Sequence, residues 1–316
     1  MKYRKLGKTG LEVSEIGFGA WAIGGNKHGN SYGPTNDKES LKAIQKALEL
    51  GCNFFDTADV YGHGHSEKLI GEALEGRRED LIIATKVGGD FYNVGAGANF
   101  TREYITFAIE KSLKRLRTDY IDIYQLHNPN RQLISNGDMF ETLKELKKEG
   151  KIRFYGISIF DPAEGLEAIK AGNVDTIQVI YNIFDQSPVS RLFPTAKNKD
   201  VGIITREPLA NSFLTGKHDF KSKFPSGDIR SSFPEGYKKG MIKAVEKLNF
   251  LIENKEVTLA QAALKFVLAS DAVSTVIPGI KTEYQAKENL KAGDGEGLTH
   301  EELSQIKELV DNNFYL

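Results

Sequence analysis

The spacing of apolar residues along the chain switches repeatedly between two patterns. Apolar runs of about four to eight residues, typical of strands, alternate with longer stretches in which apolar side chains recur every three or four residues. Runs such as Leu81-Ile82-Ile83 do not alternate with polar residues, as expected for parallel strands that are buried on both faces. Strands are predicted at residues 16–20, 52–56, 81–86, 120–126, 152–158, 175–181, 201–205 and 273–277.

Each of these strands is followed by at least one stretch with helical spacing. Leu41, Ile44 and Leu48 share one helix face, and Gly51 is a typical terminator just beyond it. Further helices are predicted near residues 66–75, 102–116, 137–149, from 161 onward, 188–198, 236–253, 258–269, 283–291 and 299–312. Eight strand–helix units of this length favour an α/β fold of the (β/α)8 TIM barrel type over a doubly wound sheet.

Two additions to the barrel are expected at its ends. Residues 3–6 and 11–13 flank a Gly-Lys-Thr-Gly turn and predict an N-terminal β-hairpin that caps the barrel bottom. Extra helices are predicted towards the C-terminus. Because no low-complexity segment or linker interrupts the strand–helix order, residues 1–316 are predicted to form a single domain.

Composition and charge narrow the class of protein. The chain has 42 basic and 43 acidic residues, a net charge of -1, and no basic tract of the kind that nucleic acid requires. The only cysteine, Cys52, cannot form an intrachain disulfide, which fits a reducing compartment. No signal peptide is evident, and no apolar run approaches the ~18 residues of a membrane span. We expect a soluble cytoplasmic protein without nucleic-acid or membrane partners, and its oligomeric state is left open.

Titratable residues lie at the ends of three consecutive predicted strands. Asp56 ends the second strand and Tyr61 lies in the loop after it, while Lys86 and His127 end the third and fourth strands. In a barrel the carboxyl ends of strands meet on one face, so these four side chains are expected to be neighbours. A lysine lowers the pKa of a phenol, a carboxylate holds the lysine, and a histidine can hydrogen-bond a carbonyl oxygen. No activated nucleophile is evident, so the attacking hydride would come from a cofactor.

The motifs around these residues resemble those of the aldo-keto reductase superfamily, and of its long-loop bacterial members in particular. The resemblance rests on Asp56-Thr57-Ala58, Tyr61-Gly62, Thr85-Lys86, Leu126-His127-Asn128-Pro129, Gly156-Ile157-Ser158, Ile277-Pro278-Gly279 and Glu288-Asn289. It implies a catalytic tetrad in which Tyr61 is the general acid and Lys86 lowers its pKa. Asp56 would orient Lys86, and His127 would position or polarise the carbonyl group.

The same resemblance implies NADP(H) as the cofactor, with NAD(H) as the alternative. The resemblance also implies that the cofactor binds in an extended form over the barrel top, and in agreement no G-x-G-x-x-G fingerprint opens a helix after a strand. Lys281 would bind the 2′-phosphate, and the Arg206 guanidinium would stack on the nicotinamide. The implied cofactor contacts are Gly19, Ala20, Trp21, Asp56, Ser158, Gln178, Arg206, Pro208, Leu209, Asn211, Leu214, Lys217, Gly279, Lys281, Thr282, Gln285, Glu288 and Asn289.

The partner is expected to be a small carbonyl compound. Trp21, Phe91 and Tyr92 follow predicted strands and are candidates for substrate contact, with packing as the alternative, and the resemblance adds Asn128. The predicted function is therefore NADP(H)-dependent reduction of aldehydes or ketones to alcohols. The alternative is a cofactor-binding redox sensor or regulatory subunit with little turnover. No metal is expected, since the histidine spacing matches no strong zinc pattern.

Overall fold

A β-hairpin opens the chain in the computed structural model, which describes residues 1–28, 31–93, 97–171 and 174–314. Its antiparallel strands are β1 (Tyr3–Lys5) and β2 (Glu12–Ser14). The side chains of Leu6, Leu11 and Val13 are buried against residues of the barrel strands. The predicted hairpin is thus confirmed, and it covers the amino ends of the barrel strands.

Eight parallel strands follow in one sheet, and each pairs with its neighbours in chain order. They are β3 (Phe18–Gly19), β4 (Phe54–Asp56), β5 (Ile82–Val87), β6 (Ile121–His127), β7 (Ile152–Ser158), β8 (Thr176–Ile180), β9 (Gly202–Arg206) and β10 (Val273–Val276). The first and last strands join where the Gly17 amide donates to the Val276 carbonyl at 2.9 Å and the Gly19 amide donates to the Pro278 carbonyl at 3.0 Å. The predicted (β/α)8 barrel is confirmed.

Helices surround this barrel and agree with the predicted order. They are α1 (Asp37–Glu49), α2 (His65–Ala73), α3 (Arg102–Leu116), α4 (Arg131–Asn136), α5 (Asp138–Lys148), α6 (Pro162–Lys170), α7 (Leu192–Asn198), α8 (Glu235–Glu246), α9 (Leu259–Leu268), α10 (Glu283–Leu290) and α11 (His300–Asp311). The sequence pattern does not predict α4, which Gly137 separates from α5 with a φ of +83°. Within the described ranges no helix is long and apolar enough to cross a membrane.

The barrel interior has an apolar layer below a polar layer. The apolar layer is formed by side chains of the hairpin region and of the barrel strands. They are Leu6, Leu11, Val13, Phe54, Ile82, Ala84, Ile123, Ile204 and Ile277. Side chains two residues apart on a strand point the same way, so Asp56 follows Phe54 and Lys86 follows Ala84 towards the carboxyl ends. The polar groups of these two strands therefore emerge on the face where a barrel carries its active site.

Candidate active site

The Lys86 ammonium is the centre of a buried hydrogen-bond network. Its Nζ donates to Asp56 Oδ1 at 2.5 Å, to the Thr57 carbonyl oxygen at 2.7 Å and to the Tyr61 hydroxyl oxygen at 3.1 Å. Lys86 is 0% exposed and Asp56 is 2% exposed, so neither charge is solvated by bulk water. A buried charge is tolerated when it is paired and hydrogen-bonded, and all three ammonium protons have acceptors here.

Two glutamine side chains hold the second oxygen of the Asp56 carboxylate. Gln178 Nε2 donates to Asp56 Oδ2 at 2.7 Å, and Gln125 Nε2 donates to the same atom at 3.3 Å. Gln178 is a predicted cofactor contact, whereas Gln125 is not predicted as a site residue. Its position two residues before His127 on β6 is the one signal that places it in the polar layer. The carboxylate is therefore fixed from both sides and directs Lys86 towards Tyr61.

The loop after β4 brings the Tyr61 hydroxyl over Lys86. The Thr57 amide donates to the Ala84 carbonyl at 2.8 Å, which continues the strand pairing beyond Asp56. Gly62 then turns the chain with a φ of +61°, and a Cβ at this position would lie 2.0 Å from the Gly24 carbonyl oxygen. Only glycine fits this approach without a backbone shift. The glycine that follows Tyr61 in the sequence is thus a steric requirement of the turn.

Tyr61 carries a protonated phenol in this environment. Burial raises its pKa above the ordinary value, and the positive charge of Lys86 acts in the opposite direction. The predicted influence of Lys86 is therefore present, but burial outweighs it in this structure. A phenol that keeps its proton at neutral pH, with an ammonium 3.1 Å from its oxygen, is equipped to donate that proton.

His127 is a neutral imidazole beside this phenol. Its ring lies 5.8 Å from the Tyr61 ring, centroid to centroid, at an interplanar angle of 81°. Burial lowers the pKa of His127 well below its ordinary value, and the positive charges of Lys86 and Arg206 lower it further. The imidazole can therefore contribute a hydrogen bond at neutral pH without carrying a charge.

A cavity of about 900 Å³ opens above these side chains. The predicted site residues that line it are Gly19, Trp21, Asp56, Tyr61, His127, Asn128, Gln178, Arg206, Pro208, Leu209, Asn211, Lys217, Gly279, Lys281, Thr282, Gln285, Glu288 and Asn289. Four other predicted residues are buried and do not contribute to the lining: Ala20, Lys86, Ser158 and Leu214. The cavity thus brings residues from the whole length of the chain to one site.

Phe91 and Tyr92, two predicted substrate contacts, lie outside the cavity lining. Phe91 stacks on His63 with ring centroids 4.7 Å apart, and Tyr92 stacks on Phe91 at 4.3 Å. The Tyr92 hydroxyl accepts a hydrogen bond from Arg115 at 2.5 Å. These contacts tie the loop after β5 to the loop after β4, so in this structure both rings anchor a loop. Residues 94–96 of the same loop lie outside the described residues.

Three cationic side chains line one part of the cavity: Lys217, Arg230 and Lys281. Arg230 is not among the predicted site residues. Arg230 pairs with Asp228, and its guanidinium carbon lies 4.8 Å from the Tyr32 ring centroid. Burial lowers the pKa of Lys217 and of Lys281, and the charge of Arg230 lowers both further. An anionic ligand placed here would relieve the repulsion between these cations.

The two long loops around the cavity are joined to each other. The Ile229 amide donates to the Ser31 carbonyl at 2.9 Å, and the Tyr32 hydroxyl donates to Asn211 Oδ1 at 2.9 Å. Lys281 Nζ also donates to the Tyr32 carbonyl at 3.0 Å. Described residues of the segments 24–36 and 207–235 are therefore bonded to each other at the cavity wall. Their aperiodic sequences give no indication of this contact, and residues 29 and 30 lie outside the described ranges.

Arg206 occupies the cavity wall near the reacting groups. Its terminal nitrogens donate to Glu207 Oε1 at 2.7 Å and to the Ile159 carbonyl at 3.1 Å, and its guanidinium carbon lies 4.7 Å from the Phe160 ring centroid. The buried Nε has no hydrogen-bond partner among the described residues. An unpaired buried donor carries a free-energy cost, which a ligand that offers an acceptor would remove. Together with the cations, this donor set fits a phosphate-bearing nicotinamide cofactor.

Comparison with known proteins agrees with the fold. The aldo/keto reductase family profile matches residues 15–311. The uncharacterized oxidoreductase YqkF of Bacillus subtilis (strain 168) is 34% identical over 321 residues, covering 100% of this chain and 98% of its own length. The aldo-keto reductase YhdN of the same organism is 33% identical over 319 residues, covering 99% of this chain and 94% of its own. The solved holo form of aldo-keto reductase AKR11C1 from Bacillus halodurans has a TM-score of 0.81 at 35% identity, covering 98% of this chain and 96% of that chain.

Proposed function

This chain belongs to the aldo/keto reductase family, and on that premise we propose that it reduces aldehydes or ketones to alcohols with NADPH. The observation that carries the proposal is the buried network in which Lys86 joins Asp56 to Tyr61 beside His127. Such a network delivers one proton to an oxygen atom at the mouth of a barrel. Carbonyl reduction needs that proton together with a hydride, which the nicotinamide would supply when bound.

Tyr61 is the proposed general acid. Its hydroxyl oxygen accepts a hydrogen bond from Lys86, which leaves the phenolic proton available to a substrate oxygen. As that oxygen gains negative charge, Tyr61 donates the proton and becomes a phenolate. The ammonium 3.1 Å away stabilises the phenolate, and Asp56 keeps the ammonium charged and in place.

His127 is the proposed second hydrogen-bond partner of the substrate oxygen. Its low pKa keeps it neutral, so it does not compete with Tyr61 as the proton donor. One ring N–H directed at the developing negative charge would stabilise the transition state, because preorganised donors act most strongly away from bulk water. Tyr61 and His127 line the same cavity, so a substrate oxygen in that cavity could be reached by both side chains.

The cations Lys217, Arg230 and Lys281 are the proposed holders of the cofactor phosphates. All three line the same cavity as Tyr61 and His127. Lys281 is the proposed contact to the 2′-phosphate, which makes NADPH the preferred cofactor over NADH. Arg206 would meet an acceptor on the cofactor with its unpaired Nε.

Replacing Lys281 with glutamine is expected to raise the Kd for NADPH by about 10- to 100-fold, because a hydrogen bond to a charged group is lost. The Kd for NADH is expected to change by about twofold at most. Fluorescence titration measures the Kd of each cofactor. Loss of the phosphate contact weakens NADPH binding alone, whereas loss of the Lys281 hydrogen bonds to Tyr32 and Pro34 would weaken both cofactors. Lys287→Gln, which removes a lysine paired with Glu283 on the same helix, is the control. Equal weakening of both cofactors would remove the 2′-phosphate role.

Turnover of purified protein tests the proposed function directly. NADPH or NADH is mixed with a panel of small aldehydes and ketones, and the absorbance of reduced nicotinamide is followed over time. We expect oxidation of NADPH with some of these carbonyl compounds, faster than with NADH at equal low concentration. Tight binding of NADPH without oxidation by any of them would contradict the reductase and favour the regulatory or sensing alternative.

A further inference from the structure

Tyr284 presents an open aromatic ring to the cavity. It is the second residue of α10 and belongs to the cavity lining. At 68% it has the highest exposed fraction of the large apolar residues in the described ranges. No ring or cation of the described residues stacks on it. An exposed aromatic face on a cavity wall is a surface on which a planar ligand group can stack.

Contacts between side chains give the order of groups along the cavity. The Tyr61 ring lies 6.5 Å from the Trp21 ring, and the Trp21 ring lies 4.5 Å from the Tyr32 ring, centroid to centroid. Tyr32 in turn meets the cations, because Arg230 lies over its ring and Lys281 binds its carbonyl oxygen. Along the cavity, Tyr61 is therefore followed by the rings of Trp21 and Tyr32 and then by the cations.

The helix that carries Tyr284 begins directly after these cations. Lys281 precedes Thr282, whose hydroxyl caps the helix by accepting from the Gln285 amide at 3.2 Å. The Gln285 side chain is already engaged, since its Oε1 accepts from the Lys281 amide at 2.8 Å. Glu288 and the buried Asn289 complete the part of α10 that lines the cavity. Of these residues, only Tyr284 has a ring.

We infer that Tyr284 is the stacking platform for the adenine base of the cofactor. The inference rests on the proposed function, which puts the nicotinamide at Tyr61 and the phosphates at the cations. The two bases of a dinucleotide are separated by its phosphates, so the adenine must then lie beyond the cations, at α10. A purine that stacks on the phenol ring covers its exposed face, and the Glu288 carboxylate beside it is an acceptor for the exocyclic amine.

Titration calorimetry with two probes tests this assignment. NADPH contains adenine, whereas reduced nicotinamide mononucleotide lacks the entire adenosine half. Tyr284→Ala is expected to raise the Kd for NADPH by about 10-fold, in line with the effect of removing an aromatic ring from under a stacked base. Tyr284→Phe keeps the ring and is expected to bind NADPH within about twofold of the wild type. Binding of the mononucleotide should be the same in all three proteins.

Tyr3→Ala, which removes a tyrosine that is 49% exposed at the hairpin, is the matched control and should leave both affinities unchanged. Wild-type affinity of Tyr284→Ala for NADPH would overturn the stacking role while the proposed function stands. An equal loss of mononucleotide affinity in Tyr284→Ala would also overturn it, because the effect would then not involve adenine. Failure of the wild-type protein to bind NADPH would overturn the proposed cofactor and this inference together.

Discussion

Replacing Tyr61 with phenylalanine is expected to lower kcat for carbonyl reduction by about 10²- to 10⁴-fold, the usual contribution of a general acid. The substitution removes one hydroxyl and keeps the ring that packs near Trp21 and His127. Lys86 loses one of its three acceptors but keeps Asp56 and the Thr57 carbonyl. Proton delivery is therefore lost while the cofactor-binding residues are unchanged.

Steady-state kinetics at saturating NADPH and fluorescence titration of the same protein measure the two effects separately. The Kd for NADPH should stay within about twofold of the wild type. Tyr237→Phe, at a tyrosine whose ring packs on Phe213 and Phe233, is the matched control and should keep full activity. If Tyr61→Phe retained most of its kcat, the proton would have to come from another group.

Replacing Lys86 with methionine should abolish turnover and lower the free energy of unfolding by about 3–5 kcal/mol. The substitution leaves the Asp56 carboxylate buried without its positive partner, and breaking a buried ion pair in this way is strongly destabilising. Tyr61 also loses the ammonium that stabilises its phenolate. Urea unfolding and the carbonyl-reduction assay on the same preparation measure both consequences.

The double variant Asp56→Asn, Lys86→Met distinguishes stability from catalysis. The neutral amide carries no uncompensated charge, and its oxygen can still accept from Gln178, so most of the lost stability should return. Activity should not return, because the ammonium is still absent. An active double variant would show that Lys86 is dispensable for the chemistry. If Lys86→Met unfolded at the same urea concentration as the wild type, burial of the Asp56 carboxylate would not require the charge of Lys86.

The parts of the site that could be predicted are those on regular strands. Asp56, Lys86 and His127 end apolar runs that are recognisable in the sequence, and barrel geometry brings the ends of such runs together. The Asp56 and Lys86 contact follows from that convergence. Gln125 is not predicted although it lies on the same strand as His127, because a single polar residue inside an apolar run gives no indication of its partner.

On the long loops the family resemblance implies some of the cavity residues, such as Lys217, but the pattern of apolar and polar residues predicts none of them. Arg230 lies in an aperiodic segment, so neither its contact with Tyr32 nor its place in the cavity follows from a sequence pattern. Phe91 is another example, since a position after a strand leaves ligand contact and packing as alternatives, and in this structure the ring stacks on His63. In both cases the conformation depends on tertiary partners from distant parts of the chain, and local propensity does not encode them.

The contact between the two long loops has a consequence for the rate of cofactor exchange. The hydrogen bonds from Ile229 to Ser31 and from Tyr32 to Asn211 join two loops, and Ile229, Tyr32 and Asn211 line the cavity of the proposed cofactor. Under the proposed function a dinucleotide would enter or leave only while those bonds are open. Association and dissociation would then each include a conformational step. Such steps often take longer than the chemistry in enzymes with closing loops. The turnover rate would then be governed by the departure of oxidised cofactor, and rapid mixing would resolve a burst of product before the steady state.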